Sequence, residues 1–190
     1  MNSIRHCQFF IILSVASFIT FSFSFPLHQV TDQLQYENSN LTSSEFSASL
    51  ESLQKKIGYE FKKVDLLRRA MTHASYAGEN NKGLSNLGLD VIKTSIALNC
   101  FQKDIDISAS DLNRQITKVT EVNSCAMDGL KLGLHNIIRV PVKGNSSAPP
   151  VVCSGFRGLF GAIAVDTGKA DDAGNVFLNV HRGISGTFSF

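Results

Sequence analysis

Hydrophobic residues recur along this chain at helical rather than alternating spacing. The clearest stretch is Leu84–Phe101, LSNLGLDVIKTSIALNCF. Leu84, Leu87, Gly88, Val91, Ser95 and Leu98 share one face there, and Ile92 and Ile96 widen it. So broad an apolar stripe predicts a buried helix. Upstream, Thr42-x-x-Glu45 reads as a capping box. Phe46, Leu50, Leu53 and Ile57 follow at helical spacing as far as Gly58, which suits the left-handed position after a helix. Val64–Met71 predicts a second, short helix. Downstream, Ser108 and Asp111 open another, with Leu112, Ile116, Val119, Asn123, Ala126 and Leu130 on one face and Leu132-Gly133-Leu134 as its close. The Gly/Ser/Pro-rich run Gly144–Pro150 predicts a loop. Val152, Phe156, Leu159, Phe160 and Ile163 then mark the last strong helix, with Gly168 as its stop. Asp171–His181 adds only a turn or two, because Gly174 weakens it. The sum is an all-α domain in which Leu84–Phe101 packs against Val151–Val165.

The N-terminus departs from this pattern. Met1–Gln8 holds one Arg and no acid, and Phe9–Phe25 is wholly uncharged. Ser22 and Ser24 supply small residues at the −3 and −1 positions of a cut before Phe25. Residues 1–24 therefore read as a secretory signal peptide, because a mitochondrial transit peptide would be Arg-rich and amphipathic. An uncleaved signal-anchor is the alternative, since a span needs about 20 apolar residues. The organisation expected is a signal peptide (1–24), a flexible linker (25–44), a helical domain (45–182) and a C-terminal tail (183–190). The location expected is the secretory pathway, either the lumen of the endoplasmic reticulum and nuclear envelope or the exterior; an organelle is the alternative. Asn40-Leu41-Thr42 and Asn145-Ser146-Ser147 are N-glycosylation acceptors that suit this route. Loss of the signal removes Cys7 and leaves Cys100, Cys125 and Cys153, an odd set that allows at most one internal bridge. Each lies on an apolar stretch and reads first as a buried free thiol.

Composition adds limits. A chain of 190 residues that is 43% hydrophobic has material for one real core. A net charge of +2 carries no global nucleic-acid signature. Locally, Lys55, Lys56, Lys62, Lys63, Arg68 and Arg69 outnumber Glu60 and Asp65. An ordinary solvated face is the first reading of that cluster, and a patch contacting RNA phosphates is the second. His135 and His181 have no Cys or His at zinc spacing, and Ser154 lacks a nucleophile elbow.

Three segments taken in order carry a resemblance. They are Thr72–Tyr76 (THASY), the stretch from Leu84, and Cys153–Gly168 (CSGFRGLFGAIAVDTG). They resemble the ribonuclease III catalytic domain, in which THxSY precedes ERLEFLGDAVL and, later, ADxFEALIGAIYLDxG. Gly58-Tyr59-Glu60-Phe61, Glu121-Val122-Asn123 and Leu132-Gly133-Leu134 also match that family's pattern. The resemblance implies a ribonuclease III-like helical fold, a structural rather than catalytic His73, and Mg²⁺-dependent hydrolysis of double-stranded RNA.

The chemical positions depart from the family. It places Glu and Asp at i, i+4 on the first helix and Asp and Glu at i, i+3 on the last, so that each pair shares a face. Laid on this chain without gaps, those positions are Ser85, Leu89, Ser154 and Arg157, none of them an acid. A one-residue slip to Asp90 would turn the helix by about 100° and take its apolar residues off the core, so Asp90 reads as a surface charge. Asn86 stands where the family has the Phe of its dimer contact, which removes that anchor from a homodimer. The chain ends at Phe190, without room for the double-stranded-RNA-binding domain of bacterial members. The expectation is a noncatalytic domain with no metal or cofactor, whose former cleft binds a protein partner. The combination resembles small plant ribonuclease III-like proteins of the "nuclear fusion defective" type, which implies a part in fusion of polar nuclei during female gametophyte development. The alternatives are an RNA-binding module using the basic cluster and Arg157, and a residual nuclease with displaced ligands.

Overall fold

The structure, a computed structural model, describes residues 42–185. The signal peptide, most of the linker, the end of the tail and the acceptor at Asn40 lie outside those residues. Seven α-helices follow one another among the described residues: α1 (Ser43–Ile57), α2 (Val64–Ala70), α3 (Lys82–Lys103), α4 (Ala109–Thr120), α5 (Val122–Leu132), α6 (Pro149–Thr167) and α7 (Ala170–Ser185). A single 3-10 turn, Leu134–Asn136, follows α5. The only β pairing among these residues is an isolated bridge between Thr72 and Arg139. None of the described helices is long and apolar enough to cross a membrane.

The capping box forms as its residues predict. Thr42 Oγ1 accepts from the Glu45 amide at 3.3 Å, and the Glu45 carboxylate accepts from the Thr42 amide at 2.8 Å. Gly58 ends α1 in the left-handed region at φ +67°. Helix α6 is the centre of the fold. Its Val152, Phe156, Leu159, Phe160 and Ile163 are all buried, and Phe177 of α7 meets the rings of Phe156 and Phe160 edge-on. Pro149, expected in a loop, is instead the first residue of α6, where its missing N–H costs nothing.

Helices α3 and α6 cross as the apolar pattern predicts, and the crossing is a backbone contact. A Cβ on Gly88 would lie 1.8 Å from the Arg157 carbonyl oxygen, and one on Gly161 would lie 2.0 Å from that of Leu84. Only glycine permits so close an approach at these two positions.

Four further expectations require correction. Leu87 and Leu98 do not join the core; they are 39% and 53% exposed. The buried face of α3 is Gly88, Val91, Ile92 and Ile96, narrower than the expected stripe, with Leu84 and Ser95 half-buried at its edge. The helix expected across Ser108–Leu134 is two helices, α4 and α5, parted at Glu121, whose backbone is extended (φ −62°, ψ 153°). The residues around the break, Thr117, Val119, Thr120 and Val122, are β-branched and hold a helix poorly. Helix α7 runs for 16 residues, not a turn or two. Gly174 does not stop it but lets it pack, since a Cβ there would lie 2.3 Å from Ser95 Oγ. Finally, Cys125 and Cys153 are buried as expected but form a disulfide that joins α5 to α6; only Cys100 of the three is a free thiol.

Candidate functional site

The four positions singled out by the family pattern, Ser85, Leu89, Ser154 and Arg157, are all half-buried at the α3–α6 crossing. Each is positioned by packing. Ser85 and Leu89 flank Gly88, and Ser154 and Arg157 flank Gly155 and Phe156, which hold their helix in the core.

Ser154 is engaged within the protein. Its hydroxyl donates to Asn81 Oδ1 at 3.0 Å, and Asn81 Nδ2 donates to the Ala70 carbonyl at 3.2 Å. Asn81 is fully buried, so this relay locks the end of α2, the start of α3 and the middle of α6 together. Arg157 is engaged as well. One Nη2 proton goes to the Thr120 carbonyl, the last of α4, and Nε is buried without a partner. Burial draws this guanidinium below its ordinary pKa. In an unbroken helix the Thr120 carbonyl would accept from the amide four residues on. The guanidinium takes that place where the chain breaks.

These residues do not fit a magnesium ion. Mg²⁺ requires hard oxygen ligands in near-octahedral geometry, with carboxylates among them. Leu89 has no ligand atom, and the Ser154 hydroxyl is turned to Asn81. Arg157 adds a positive charge; at about 4 Å two unit charges of like sign repel by about 4 kcal/mol at an intermediate dielectric. Asp90 is exposed, in keeping with a surface charge.

The other expected residues scatter. His73 is held by hydrogen bonds, its Nδ1 2.8 Å from Ser75 Oγ and its amide donating to the Arg139 carbonyl at 3.1 Å. Half of the basic cluster has partners within the chain, at or near the surface. Lys56 Nζ donates to the carbonyls of Lys131 and Leu132 at the end of α5. Arg68 pairs with Asp65 at 3.6 Å, and Arg69 Nε donates to the Asn80 carbonyl. Lys55, Lys62 and Lys63 are exposed, as are Asn86 and Asn145. Spacing along the chain did not reveal the roles of Asn81 and Thr120. Asn81 could have been noticed as a polar residue just before a helix, but the Thr120 carbonyl leaves no trace in sequence. The pairing of His181 with Asp128, 2.7 Å from Nδ1 to Oδ2, also joins residues 53 apart.

A helical domain with α3 crossed glycine-to-glycine on α6 defines a class of protein, and the comparisons name it. Residues 63–180 match the family described as Ribonuclease-III-like, and the chain belongs to that family. It is 44% identical over 188 residues to the protein NUCLEAR FUSION DEFECTIVE 2 of Arabidopsis thaliana, covering 98% of this chain and 97% of that protein. Ribonuclease 3 of Delftia acidovorans is 27% identical over 125 residues, 64% of this chain and 55% of the bacterial protein. The chain thus spans about half the length of such bacterial relatives. Among solved structures, the nuclease domain of ribonuclease III from Campylobacter jejuni matches with a TM-score of 0.67 and 26% identity, covering 70% of this chain and 96% of that one.

Proposed function

We propose that this chain is a noncatalytic ribonuclease III-like protein that acts by binding a protein partner in an oxidising compartment of the secretory pathway. The observation that carries the loss of catalysis is Arg157. Where the family pattern calls for an acid, this chain has a guanidinium tied to the Thr120 carbonyl. Ser154, bound to Asn81, and Leu89 support the same reading. The Cys125–Cys153 disulfide supports the compartment, because such bridges persist where the cytosolic thiol pool does not reach. The near full-length likeness to a protein named for defective nuclear fusion supports a role in nuclear fusion, which the continuous lumen of endoplasmic reticulum and nuclear envelope would suit.

The test is direct. Purified protein with Mg²⁺ or Mn²⁺ is expected to leave double-stranded RNA intact. The combined variant Ser85→Glu, Leu89→Asp, Ser154→Asp and Arg157→Glu is expected to rise in melting temperature with Mn²⁺, and the wild type is not. Chelator-sensitive cleavage by the wild type, or equal stabilisation of both proteins by Mn²⁺, would overturn the reading. Salt-sensitive RNA binding lost on replacing Lys55, Lys62 and Lys63 would favour an RNA-binding module instead.

A further inference from the structure

A cavity of about 410 Å³ opens between the C-terminal part of α3, the connector after it, α4 and α7. That volume falls in the range of about 300–1,000 Å³ typical of small-molecule sites. Ser85, Leu89, Ser154 and Arg157 do not line it, so it is distinct from the group at the α3–α6 crossing.

Its lining is sorted by depth. The three charged residues, Lys103, Asp104 and Arg182, are all exposed and stand at the mouth, where their charges stay in water. Lys103 is engaged within the chain, Asp104 accepts the Asp106 amide at 3.0 Å, and Arg182 reaches Asn99 Oδ1 at 3.5 Å. The mouth therefore calls for no counter-ion. Further in, Ile96 is buried, and Ile107, Val119, Leu178 and Cys100 are half-buried. His181 brings a polar atom to this apolar interior and is held rigidly. Its ring stacks on Phe177 with centroids 5.5 Å apart, and its Nδ1 is 2.7 Å from the carboxylate of Asp128, itself buried. A carboxylate oxygen accepts, so the neutral imidazole carries its proton on Nδ1 and leaves Nε2 as an acceptor on its other side.

We infer that this cavity binds a neutral aliphatic or alicyclic alcohol, its hydroxyl donating to His181 Nε2 and its hydrocarbon body on Ile96, Ile107, Val119 and Leu178. A charged head drawn that deep would lose its water with no opposite charge to replace it. A ligand without a donor would leave Nε2 covered and unpaired. An alcohol meets both conditions.

Cys100 supplies the reporter, because its thiol is free and it lines the same cavity. The full-length protein is labelled with N-ethylmaleimide in the presence of octanol, octyl methyl ether or octanoate, and labelling of the Cys100 peptide is followed by mass spectrometry. The ether is at least as apolar as the alcohol but has no donor, and octanoate adds a charge. Octanol is expected to protect Cys100 at about a tenfold lower concentration than either, the worth of one buried hydrogen bond. In His181→Phe, which keeps an aromatic ring but has no Nε2, octanol is expected to lose its advantage over the ether. Should that variant not fold, because Asp128 is left buried without its partner, the comparison on the wild type decides alone. Protection by the ether or octanoate equal to that by octanol, no protection by any of the three, or an undiminished advantage in a folded variant would overturn the inference. None of these results bears on RNA cleavage, so this proposal and the preceding one fail separately.

Discussion

Single residues decide the chemistry of this fold. Arg157 shows a charged side chain put to structural use: its guanidinium donates to the Thr120 carbonyl just where the helix breaks. Asp166 shows a carboxylate put to purely structural use. Burial alone would push its pKa up, yet the Tyr59 hydroxyl at 2.7 Å and the amides of Lys62 and Lys63 at 2.9 Å outweigh that and hold it below the usual carboxylate value. Burial and the same carboxylate hold the Tyr59 phenol well above its ordinary range, so it stays a donor. A depressed carboxylate contributes stability that is complete above its unfolded value, about 3.9, and is lost as pH falls through the lower folded value. Wild-type melting temperature is therefore expected to fall more steeply below pH 4 than that of Asp166→Asn, which should be less stable at neutral pH. Parallel profiles from pH 5 to pH 2.5 would exclude this role. At this scale the sequence was informative about identity and silent about partners. That Ser85, Leu89, Ser154 and Arg157 are not acids can be read directly. That Ser154 meets Asn81 and Arg157 meets Thr120 depends on chain separations of 73 and 37 residues, which no local pattern encodes.

Elements were legible where one face of a helix meets the core and illegible where packing overrides periodicity. The first helix could be read from cap to cap, because Thr42, Glu45, Phe46 and Gly58 each act locally. The division into α4 and α5 could not. Val119 and Ala126 fit one continuous face, and at the break between them the Thr120 carbonyl accepts from a guanidinium of α6. Helix α7 was underestimated because Gly174 counts against a helix on propensity alone, while its value lies in contact with α3 at Ser95. The disulfide belongs to the same scale, since it fastens α5, shortened by the break, to the central helix. The bridge closes a sequence separation of 28 residues. Removing it through Cys125→Ala and Cys153→Ala is expected to cost about 2–4 kcal/mol in urea unfolding. Adding reductant to the wild type should reproduce that loss and leave the double variant unchanged. Equal stability of oxidised wild type and variant would mean that the packing of α5 on α6 suffices alone.

At the scale of the whole molecule, two features far apart in sequence bear on the proposed compartment. The uncharged run Phe9–Phe25 has the composition of an export signal, and the Cys125–Cys153 bridge suits the oxidising lumen proposed above. The first rests on local composition alone. The second was not legible in sequence, because the pairing of Cys125 with Cys153 depends on how α5 docks on α6. Asn145 makes the compartment testable. It is exposed in the segment before α6, and its Oδ1 accepts the Ser147 amide at 2.9 Å, a turn that presents the acceptor triplet to solvent. Such a site on a chain passing through the endoplasmic reticulum meets the glycosylation machinery before or during folding. Protein purified from its native tissue is therefore expected to begin near Phe25 and to run faster on a gel after endoglycosidase treatment. Asn145→Gln should remove a step of that shift, and any step that remains should vanish on changing Asn40. The same material, alkylated without reduction, should show Cys100 labelled and Cys125 and Cys153 joined. A cytosolic protein that retains residues 1–24 and carries Cys125 and Cys153 as free thiols would overturn both the compartment and any function built on it.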